Sequence, residues 1–305
     1  MKSIDLSIII VSYNAERFLK PCLESIFSTI TNCTYEVIVI DNNSQDNSVA
    51  VTERHFPSVA IIKNKHNTGY AMANNQGIQT AAGKFLLLLN PDTILYDNTI
   101  DTMLRFAQTS QKTGIVGCKV INRDNRLQWD SCGSFLNPTN LCFKEFGLEK
   151  LGQYFHPLDN RLMRYWKRDS SRLVDWISGV CMLINRSLIE QIGLLDEQYF
   201  SYMEDMDYCR LAVKEGWQVY FLHNVSIFHN IGGSWKQQSS RHLHTALVSE
   251  KRYLKKFYGY LGVIIFKTLH LLGSSAKFLL HNIRGTTHQA RDHFHILQWI
   301  INNRL

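Results

Sequence analysis

The segment that decides the fold is Phe85–Thr93, which reads Phe-Leu-Leu-Leu-Leu-Asn-Pro-Asp-Thr. Five consecutive apolar residues predict a short strand buried on both faces, as in a parallel sheet covered by helices. Pro91 lacks a backbone donor and restricts Asn90 to extended or turn geometry, so the strand is expected to end there. Asp92 should then lie just beyond the carboxyl end of a central strand, where open α/β sheets bind ligands. Taken alone, the segment Asn90–Thr93 is also typical of a simple turn.

Strand-like and helix-like segments alternate through the first 120 residues. Strands are predicted at Leu6–Ser12, Tyr35–Asp41, Val59–Ile62, Phe85–Leu89 and Ile115–Val120, with helices between them. This alternation predicts an α/β fold with a doubly wound, mostly parallel central sheet flanked by helices. The first strand leads into Ser12-Tyr13-Asn14 and not into a glycine-rich turn, which excludes a dinucleotide-binding or P-loop motif. A nucleotide diphosphate bound at this sheet would therefore need a metal ion to neutralise its charge.

The second half of the sequence is less regular. Residues 122–172 are polar and aromatic without clear periodicity, which predicts loops and short helices that line an acceptor site or pack as separate aromatic clusters. Ser187 and Glu190 have the spacing of a capping box at the start of a short helix. The remaining apolar runs predict strands at Leu173–Ile184, Val219–Leu222 and Val225–Phe228, the last of which leads to His229.

Three acidic residues, Glu204, Asp205 and Asp207, crowd the start of one predicted helix. Ser201 and Glu204 have capping-box spacing, and acids in a first turn also complement the helix dipole. Those roles account for only one or two of the carboxylates. Because neighbouring helical side chains point in different directions, at least one acid is expected to face the same cleft as Asp92. A general base would be useful there.

The net charge of +7 is concentrated in the C-terminal tail. From Ser234 onward eleven Lys and Arg residues face two acids, a net charge of +9, whereas the preceding residues carry −2. No charge-free run of the tail, Phe257–Phe266 included, reaches the ~20 apolar residues that span a bilayer. We therefore expect amphipathic helices that lie on an anionic membrane surface. The alternative is a helical cap that packs on the core or on a second subunit, which leaves homo-oligomerisation open.

The remaining features favour a cytoplasmic protein that is peripheral on the inner face of the cell membrane. Met1–Asp5 runs straight into a strand-like segment without a signal-peptide cleavage site. Seven scattered cysteines, an odd number without a Cys-x-x-Cys pair, favour reduced thiols. Nucleic acid is disfavoured as a partner because the body is slightly acidic and contains no recognised reader motif.

Six blocks of the sequence, in order, resemble the signature of a known family. They are Ser7–Asn14, Asp41–Ser44, Asn67–Tyr70, Asn90–Thr93, Glu204–Asp207 and His229–Ser234. The blocks are similar to those of family 2 glycosyltransferases with the GT-A fold, and most similar to bacterial rhamnosyltransferases of O-antigen and surface polysaccharide synthesis. The resemblance implies a Rossmann-like GT-A domain at residues 1–235 and a basic amphipathic helical tail at 236–305. Within the domain it implies a nucleotide-binding half (1–120) and an acceptor-binding, catalytic half (121–235).

The same resemblance implies an inverting, metal-dependent sugar transfer. The expected donor is dTDP-rhamnose, with UDP-galactofuranose, a UDP-hexose or UDP-GlcNAc as alternatives. The expected acceptor is a glycan or a lipid-linked glycan in bacterial surface polysaccharide or lipopolysaccharide biosynthesis. A nucleotidyltransferase would instead want a glycine-rich basic loop where the chain has Ser12–Arg17. A non-catalytic polysaccharide-binding or scaffold protein is disfavoured by the acids at Asp92 and Asp205.

The resemblance also implies roles for individual residues. Asp205 matches the catalytic base, whereas Asp92 and His229 match ligands for Mg²⁺ or Mn²⁺. Asn90 stands where the family's Asp-x-Asp motif has its first acid, so we expect weak metal binding until the nucleotide diphosphate arrives. The residues expected to bind the nucleotide are Ser12, Tyr13, Asn14, Asp41, Asn43, Asn67, Gly69 and Asn74. Those expected to contact the acceptor or the donor sugar are Asp175, Trp176, Gly179 and Glu204.

Overall fold

The central feature of the structure, a computed structural model, is a mixed β-sheet. The structure describes residues 3–109, 111–163, 166–230 and 239–302, and within these ranges nine strands join in one sheet. In chain order the strands are β1 (Leu6–Ser12), β2 (Tyr35–Asp41), β3 (Ala60–Lys63), β4 (Phe85–Leu89), β5 (Thr93–Leu95), β6 (Thr113–Ile121), β7 (Cys132–Gly133), β8 (Arg172–Leu173), β9 (Trp176–Ile177), β10 (Cys181–Asn185) and β11 (Gln218–His229). β7 and β9 form a separate ladder, and the others follow the order β3-β2-β1-β4-β10-β6-β11-β5, with β8 on β11.

Helices accompany the strands and also form a second compact unit. They are α1 (Glu16–Thr29), α2 (Ser48–His55), α3 (Tyr70–Thr80), α4 (Thr99–Gln108), α5 (Pro138–Glu145), α6 (His156–Leu162), α7 (Arg186–Ile192), α8 (Glu204–Lys214), α9 (Ser239–Ile283) and α10 (Thr287–Asn302). The sheet and helices α1–α4, α7 and α8 belong to the first unit, whereas α5, α6, α9 and α10 belong to the second. The predicted boundary between residues 235 and 236 lies outside the described residues, so that division stays a prediction.

One half of the sheet is entirely parallel. β1 pairs in parallel with β2 and with β4, and β2 pairs in parallel with β3. Every residue of β1 and β4 is buried, as expected for a sheet covered on both faces. In the other half, β10 runs antiparallel between β4 and β6, and β6 pairs in parallel with β11. The predicted α/β class, with a mostly parallel sheet flanked by helices, is confirmed.

Helices cover the sheet through buried faces at helical spacing. In α1 the buried apolar side chains are Leu19, Cys22, Leu23 and Ile26, which belong to the same core cluster as alternate residues of β1. α3 meets the sheet at a glycine. A Cβ atom on Gly77 would lie 2.5 Å from Ile9 Cγ2 and 2.8 Å from Ile40 Cδ1. The absent side chain therefore lets the backbone of α3 lie directly on β1 and β2.

The predicted single strand at Leu173–Ile184 is wrong. The segment contains three short strands that pair with different partners: β8 with β11, β9 with β7, and β10 with β4 and β6. A turn at residues 178–180 separates β9 from β10, and the amide of Asp175 donates to the carbonyl of Gly133 between β8 and β9. An apolar run indicates burial, but it does not show that the partner strand changes along it.

The predicted capping box at Ser187 is wrong, and so is the alternative that Ser201 and Glu204 form one. α7 begins one residue before Ser187, and its N-cap is Asn185, whose side chain accepts from the amide of Ser187. α8 begins at Glu204 itself, whereas a Ser201 cap would need helical residues from Tyr202 onward. Tyr202 and Met203 instead adopt left-handed conformations, with φ of 69° and 70°.

α9 is the longest helix of the described residues and bends sharply at Gly259. This glycine has φ of 62° and ψ of −152°, which divides α9 into residues 239–258 and 260–283. α10 packs back on α9, where Trp299 Nε1 donates to His244 Nε2 at 3.3 Å. By length and composition His242–Ile283 can cross a membrane, alone among the described helices. Counting only charge-free residues therefore underestimated the apolar length, because isolated lysines interrupt the count but not the helix.

Gly77→Ala is expected to lower the free energy of unfolding by about 1–3 kcal/mol, because the added methyl group overpacks the contact with Ile9 and Ile40. Helix propensity alone would favour alanine by up to about 1 kcal/mol. The measurement is urea unfolding. Gln79→Ala, at an exposed position of the same helix, is the control and should change stability by less than about 0.5 kcal/mol. A stabilised Gly77→Ala variant would contradict the close approach of α3.

Candidate functional site

The pairing of β5 with β11 places Asp92 beside His229. Thr93 is directly opposite His229 in this antiparallel ladder, and the amide of Asn230 donates to the carbonyl of Asp92 at 2.9 Å. As a result His229 Nε2 lies 3.1 Å from Asp92 Oδ1, and both side chains are largely buried. Within the described ranges no group of three or more His, Cys, Asp and Glu side chains forms a metal cluster. Any cation held by this pair needs further ligands from its substrate or from water.

Gln128 determines which nitrogen of His229 faces Asp92. Gln128 Nε2 donates to the carbonyl oxygen of His229 at 2.8 Å, which leaves Gln128 Oε1 to face His229 Nδ1, also at 2.8 Å. Oε1 can only accept, so Nδ1 carries the proton. In the neutral ring the lone pair of Nε2 then points towards a carboxylate oxygen. Two acceptors in contact need a proton or a cation between them, and an imidazole nitrogen with a carboxylate suits a divalent metal.

A short hydrogen-bonded turn connects β4 to Asp92. Thr93 Oγ1 donates to the carbonyl of Asn90 at 2.7 Å and closes the turn around Pro91. The amide of Asn90 donates to the carbonyl of Val180 at 3.0 Å, and Val180 is the last residue of the turn at residues 178–180. This bond connects the end of β4 to the start of β10.

The same 178–180 turn holds Asp205. The amide of Gly179 donates to Asp205 Oδ2 at 3.0 Å, and the carbonyl of Gly179 accepts from Tyr70 Oη at 2.7 Å. A Cβ atom on Gly179 would lie 2.8 Å from that hydroxyl, so a larger residue does not fit. Adjacent residues of one turn therefore bind Asn90 and Asp205. As a result, the loop before Asp92 and the first turn of α8 are both attached to this turn, at the carboxyl end of β4.

The three acids of the first turn of α8 have different surroundings. Asp207 is buried and accepts from Tyr199 Oη at 3.3 Å, whereas Asp205 is only half-buried. Burial raises the pKa of Asp205, and hydrogen bonds from the amides of Gly179 and Met206 oppose this shift only in part. Burial, together with the negative charge of Asp205, holds the pKa of Glu204 well above its usual range.

Four predicted site residues carry buried polar atoms that lack a hydrogen-bond partner in the described part of the chain. These atoms are Ser12 Oγ, Asp41 Oδ1, Asn74 Oδ1 and Glu204 Oε2. Ser12 and Asp41 are directly opposite each other at the carboxyl ends of β1 and β2, so two of the four are neighbours. Buried polar groups are normally satisfied, and these atoms are therefore suited to bind a polar ligand.

The loops beyond these strands hold most of the other predicted nucleotide-binding residues. Tyr13 is exposed, and Asn14, with a left-handed φ of 50°, accepts from the amide of Gln45 at 2.7 Å. Asn43 is also left-handed, with φ of 67°, and its side chain lies near Gln45. These two asparagines thus shape the loops, and nothing in their contacts identifies a ligand.

Asn42, which the sequence analysis did not select, organises the loop that contains Asn67 and Gly69. Its side-chain amide donates to Asn67 Oδ1 at 3.0 Å and to the carbonyl of Gly69 at 3.1 Å. Gly69 has φ of 87°, and a Cβ atom there would lie 2.5 Å from the carbonyl oxygen of Phe200. Asn42 follows directly after a buried strand, which was the available signal. Gln128 had none, because it lies in an aperiodic loop.

The predicted sugar-contacting residues Asp175 and Trp176 lie beside β7. The amide of Asp175 donates to Gly133, and Trp176 is opposite Gly133 in the β7–β9 ladder. Their contact with a sugar stays a prediction.

The comparisons with known proteins decide the family. The profile described as Glycosyl transferase family 2 matches residues 7–193. The chain is a family 2 glycosyltransferase. This membership makes it a sugar-transferring enzyme, and the predicted family is confirmed.

Curated relatives of this glycosyltransferase include two rhamnosyltransferases. An N-acetylglucosaminyl-diphospho-decaprenol L-rhamnosyltransferase of Mycobacterium tuberculosis is 27% identical over 252 residues, which cover 78% of this chain and 80% of the relative. The rhamnosyltransferase WbbL of Escherichia coli is 24% identical over 238 residues, covering 73% of this chain and 81% of the relative.

Solved structures confirm the GT-A fold. GalNAc-T7 with UDP, GalNAc and Mn²⁺ superposes with a TM-score of 0.61 at 17% identity, covering 85% of this chain and 50% of that one. The mannosyltransferase PcManGT of Pyrobaculum calidifontis, with GDP-Man and Mn²⁺, gives a TM-score of 0.59 at 13% identity and covers 98% and 87%. The glycosyltransferase thus spans half the length of the first of these structures.

Glu204→Gln is expected to stabilise the protein increasingly as the pH rises above the ordinary glutamate range. The raised pKa of Glu204 in the folded state means that its contribution to stability is complete at acid pH and is lost as the pH rises through the folded pKa. Near pH 4 the two proteins should unfold alike. At pH 8 the variant should be more stable by at least about 1 kcal/mol, because one pKa unit of difference between the folded and unfolded states is worth about 1.4 kcal/mol.

The measurement is urea unfolding across this pH range. Glu215→Gln, at an exposed position near the end of the same helix, is the control and should show no such trend. A stability difference between Glu204→Gln and the parent protein that does not change with pH would contradict the assigned environment of Glu204.

Proposed function

We propose that the chain catalyses inverting transfer of a sugar from a nucleotide-activated donor to a hydroxyl of a glycan or lipid-linked acceptor. The observation that carries the proposal is the shared 178–180 turn. It fixes Asp205 through Gly179 and the loop before Asp92 through Val180. An acid suited to accept a proton and an acid suited to hold a cation are thereby connected by two hydrogen bonds.

The donor nucleotide binds at the carboxyl ends of β1 and β2 in this proposal. Ser12 Oγ and Asp41 Oδ1 are buried there with no hydrogen-bond partner among the residues that the structure describes, and they offer hydrogen bonds to a nucleobase and a ribose. Asn74, on the adjoining helix α3, contributes a third unsatisfied oxygen. Asn42 positions the Asn67–Gly69 loop, which closes over the nucleotide.

Asp92 and His229 are the residues that would hold Mg²⁺ or Mn²⁺. Their contact at 3.1 Å and the Nδ1–H bond of His229 to Gln128 fit a divalent cation, and Gln128 acts as the positioning residue. When bound, the metal supplies positive charge that stabilises the nucleoside diphosphate leaving group. The chain's own part is to hold a carboxylate oxygen and an imidazole nitrogen in place.

Asp205 is the general base. It takes the proton of the acceptor hydroxyl while that oxygen attacks the anomeric carbon, and the bond from this carbon to the diphosphate breaks on the opposite side. The configuration is therefore inverted. A carboxylate whose pKa is raised by burial suits this role, because a base works best when its pKa approaches the operating pH. Glu204 is buried next to Asp205, and burial together with the charge of Asp205 raises its pKa, so we propose that Glu204 contacts the sugars and does not act as the base.

Rhamnose from dTDP-rhamnose is the proposed donor sugar, supported by two relatives whose names specify rhamnosyl transfer. A lipid-linked acceptor is supported by the mycobacterial relative, whose name specifies a diphospho-decaprenol. Such an acceptor lies at a membrane surface. We therefore propose a cytoplasmic enzyme whose basic tail, residues 236–305, meets the inner face of the cell membrane.

The experiment that tests the function measures release of free nucleoside diphosphate from dTDP-rhamnose and from UDP- and GDP-sugars, with and without Mn²⁺. Thermal unfolding with the same nucleotides identifies the preferred nucleobase, because a ligand that binds the native state stabilises it. We expect metal-dependent release with one nucleotide class and a lipid-diphosphate glycan as acceptor. Absence of release from every sugar nucleotide, together with no nucleotide-induced stabilisation, would contradict the proposal.

Asp205→Asn should lower the rate of sugar transfer by about 10²–10⁴, the usual contribution of a general base. Nucleotide affinity should stay within a factor of about two, because the proposed nucleotide contacts lie on β1, β2 and α3 and not on α8. Steady-state kinetics and isothermal titration with the nucleoside diphosphate measure the two effects. Glu215→Gln is the control. Near-normal turnover in Asp205→Asn would contradict the assignment of Asp205 as the general base.

Asp92→Ala should abolish the part of nucleotide affinity that depends on Mn²⁺ and leave the affinity in chelator unchanged. Gln128→Ala should weaken that metal-dependent part by about 10–100-fold, as is typical when the partner of a ligating histidine is lost. Isothermal titration of dTDP and UDP, each with Mn²⁺ or with chelator, measures the nucleotide affinity with and without metal for both variants. Gln289→Ala, at an exposed position of α10, is the control. Equal losses with metal and with chelator would argue against the metal role.

A further inference from the structure

The part of α9 after Gly259, residues 260–283, differs from a helix of a soluble protein in the side chains that it exposes. Every one of its exposed positions carries an uncharged side chain. Leu261 is 64% exposed, Leu279 61% and Ile283 83%. The complete exposed set is Tyr260, Leu261, Ile264, Thr268, Leu271, Leu272, Ala276, Leu279, Leu280, Asn282 and Ile283.

The ionisable residues of the same segment are on the other side. Lys267, His270, Lys277 and His281 are all buried or half-buried. Their spacing of three, four and seven residues places them along one helical face, opposite the exposed leucines. A soluble amphipathic helix shows the opposite arrangement, with apolar residues inside and charges outside.

A buried network of ion pairs connects this inner face to α5 and to the first part of α9. His270 lies between two glutamates, with Nδ1 3.4 Å from Glu145 of α5 and Nε2 3.1 Å from Glu250 in the first part of α9. Lys277 binds Glu145 and Lys144 binds Glu250, each at 3.1 Å. Burial raises the pKa of Glu250, but Lys144 and His270 outweigh it and lower the pKa to about 2.

This network of ion pairs argues against a helix that crosses the bilayer. Crossing would place Lys267, His270 and Lys277 in the hydrocarbon core or separate them from Glu145 and Glu250, and both are costly. In the plane of the membrane surface, by contrast, the charges stay inside the protein and the exposed apolar side chains enter the lipid. Length and composition allow both arrangements, and the placement of the charges distinguishes them.

The ends of the segment indicate what covers its exposed face. Lys255 and Lys256 are exposed just before Gly259, and Arg284 is exposed just after Ile283. Pairing with a second copy of this helix, parallel or antiparallel, would bring these positive charges together. Anionic lipid headgroups are complementary to both ends.

We propose that residues 260–283 lie flat in the interface of an anionic bilayer, with Leu261, Ile264, Leu272 and Leu279 in the acyl-chain boundary. The basic residues at both ends bind lipid headgroups. This inference deepens the proposed membrane partner of the tail, and it does not depend on the sugar or on the catalytic residues.

Flotation of the full chain with vesicles tests the inference. We expect binding to vesicles of equal parts phosphatidylcholine and phosphatidylglycerol, at least ten-fold weaker binding to phosphatidylcholine alone, and complete release by alkaline carbonate. Leu261→Glu and Leu279→Glu should each weaken binding at least ten-fold. Val213→Glu, an equal charge change at an exposed site on α8, should not. Thermal unfolding checks that the variants fold.

Three results would overturn the inference. Retention after alkaline carbonate would mean that the helix crosses the bilayer. Absence of vesicle binding would mean that lipid does not cover the face, and sedimentation showing a dimer that Leu261→Glu dissociates would identify a second copy there. Release of nucleoside diphosphate from a sugar nucleotide, measured without vesicles on the same preparations, separates failure of this inference from failure of the proposed function.

Discussion

The structure of the site depends on how two short segments are held at the end of β4. The antiparallel pairing of β5 with β11 holds Asp92 beside His229, and the hydrogen bond from the amide of Asn90 to the carbonyl of Val180 holds the same loop at the start of β10. Gly179 then connects this arrangement to Asp205. The loop before Asp92 and the side chain of Asp205 are thus bound to adjacent residues of one turn, although more than a hundred residues separate the two acids in sequence.

Much of the nucleotide-binding half could be predicted from sequence alone. The bounds of β1, β2 and β4 agree with the prediction residue by residue, because buried parallel strands appear as uninterrupted apolar runs that end in polar residues. The segment Leu173–Ile184 failed because its three strands pair with distant partners. β5 was not predicted either, since three residues are too few to show a period.

The candidate site was predictable where function and turn chemistry coincide. Asp92 follows a proline-terminated strand, whereas Gly179 was expected only from the family resemblance, and its contact with the Tyr70 hydroxyl appears only in the structure. Gln128 could not be predicted, because its importance comes only from a contact with His229 that is a hundred residues away. Likewise, the tail's composition indicates amphipathic helices, but only the structure shows that the ionisable residues of the segment 260–283 face inward.

The most direct test of the account is anomalous diffraction from Mn²⁺ in crystals grown with the nucleoside diphosphate that the enzyme prefers. The account predicts one anomalous peak at ligand distance, ~2.0–2.2 Å, from Asp92 and His229 Nε2, with the diphosphate completing the coordination. The nucleoside should then contact Ser12 and Asp41. A peak elsewhere, or a nucleotide bound away from the carboxyl ends of β1 and β2, would contradict the claim that one cleft joins these residues.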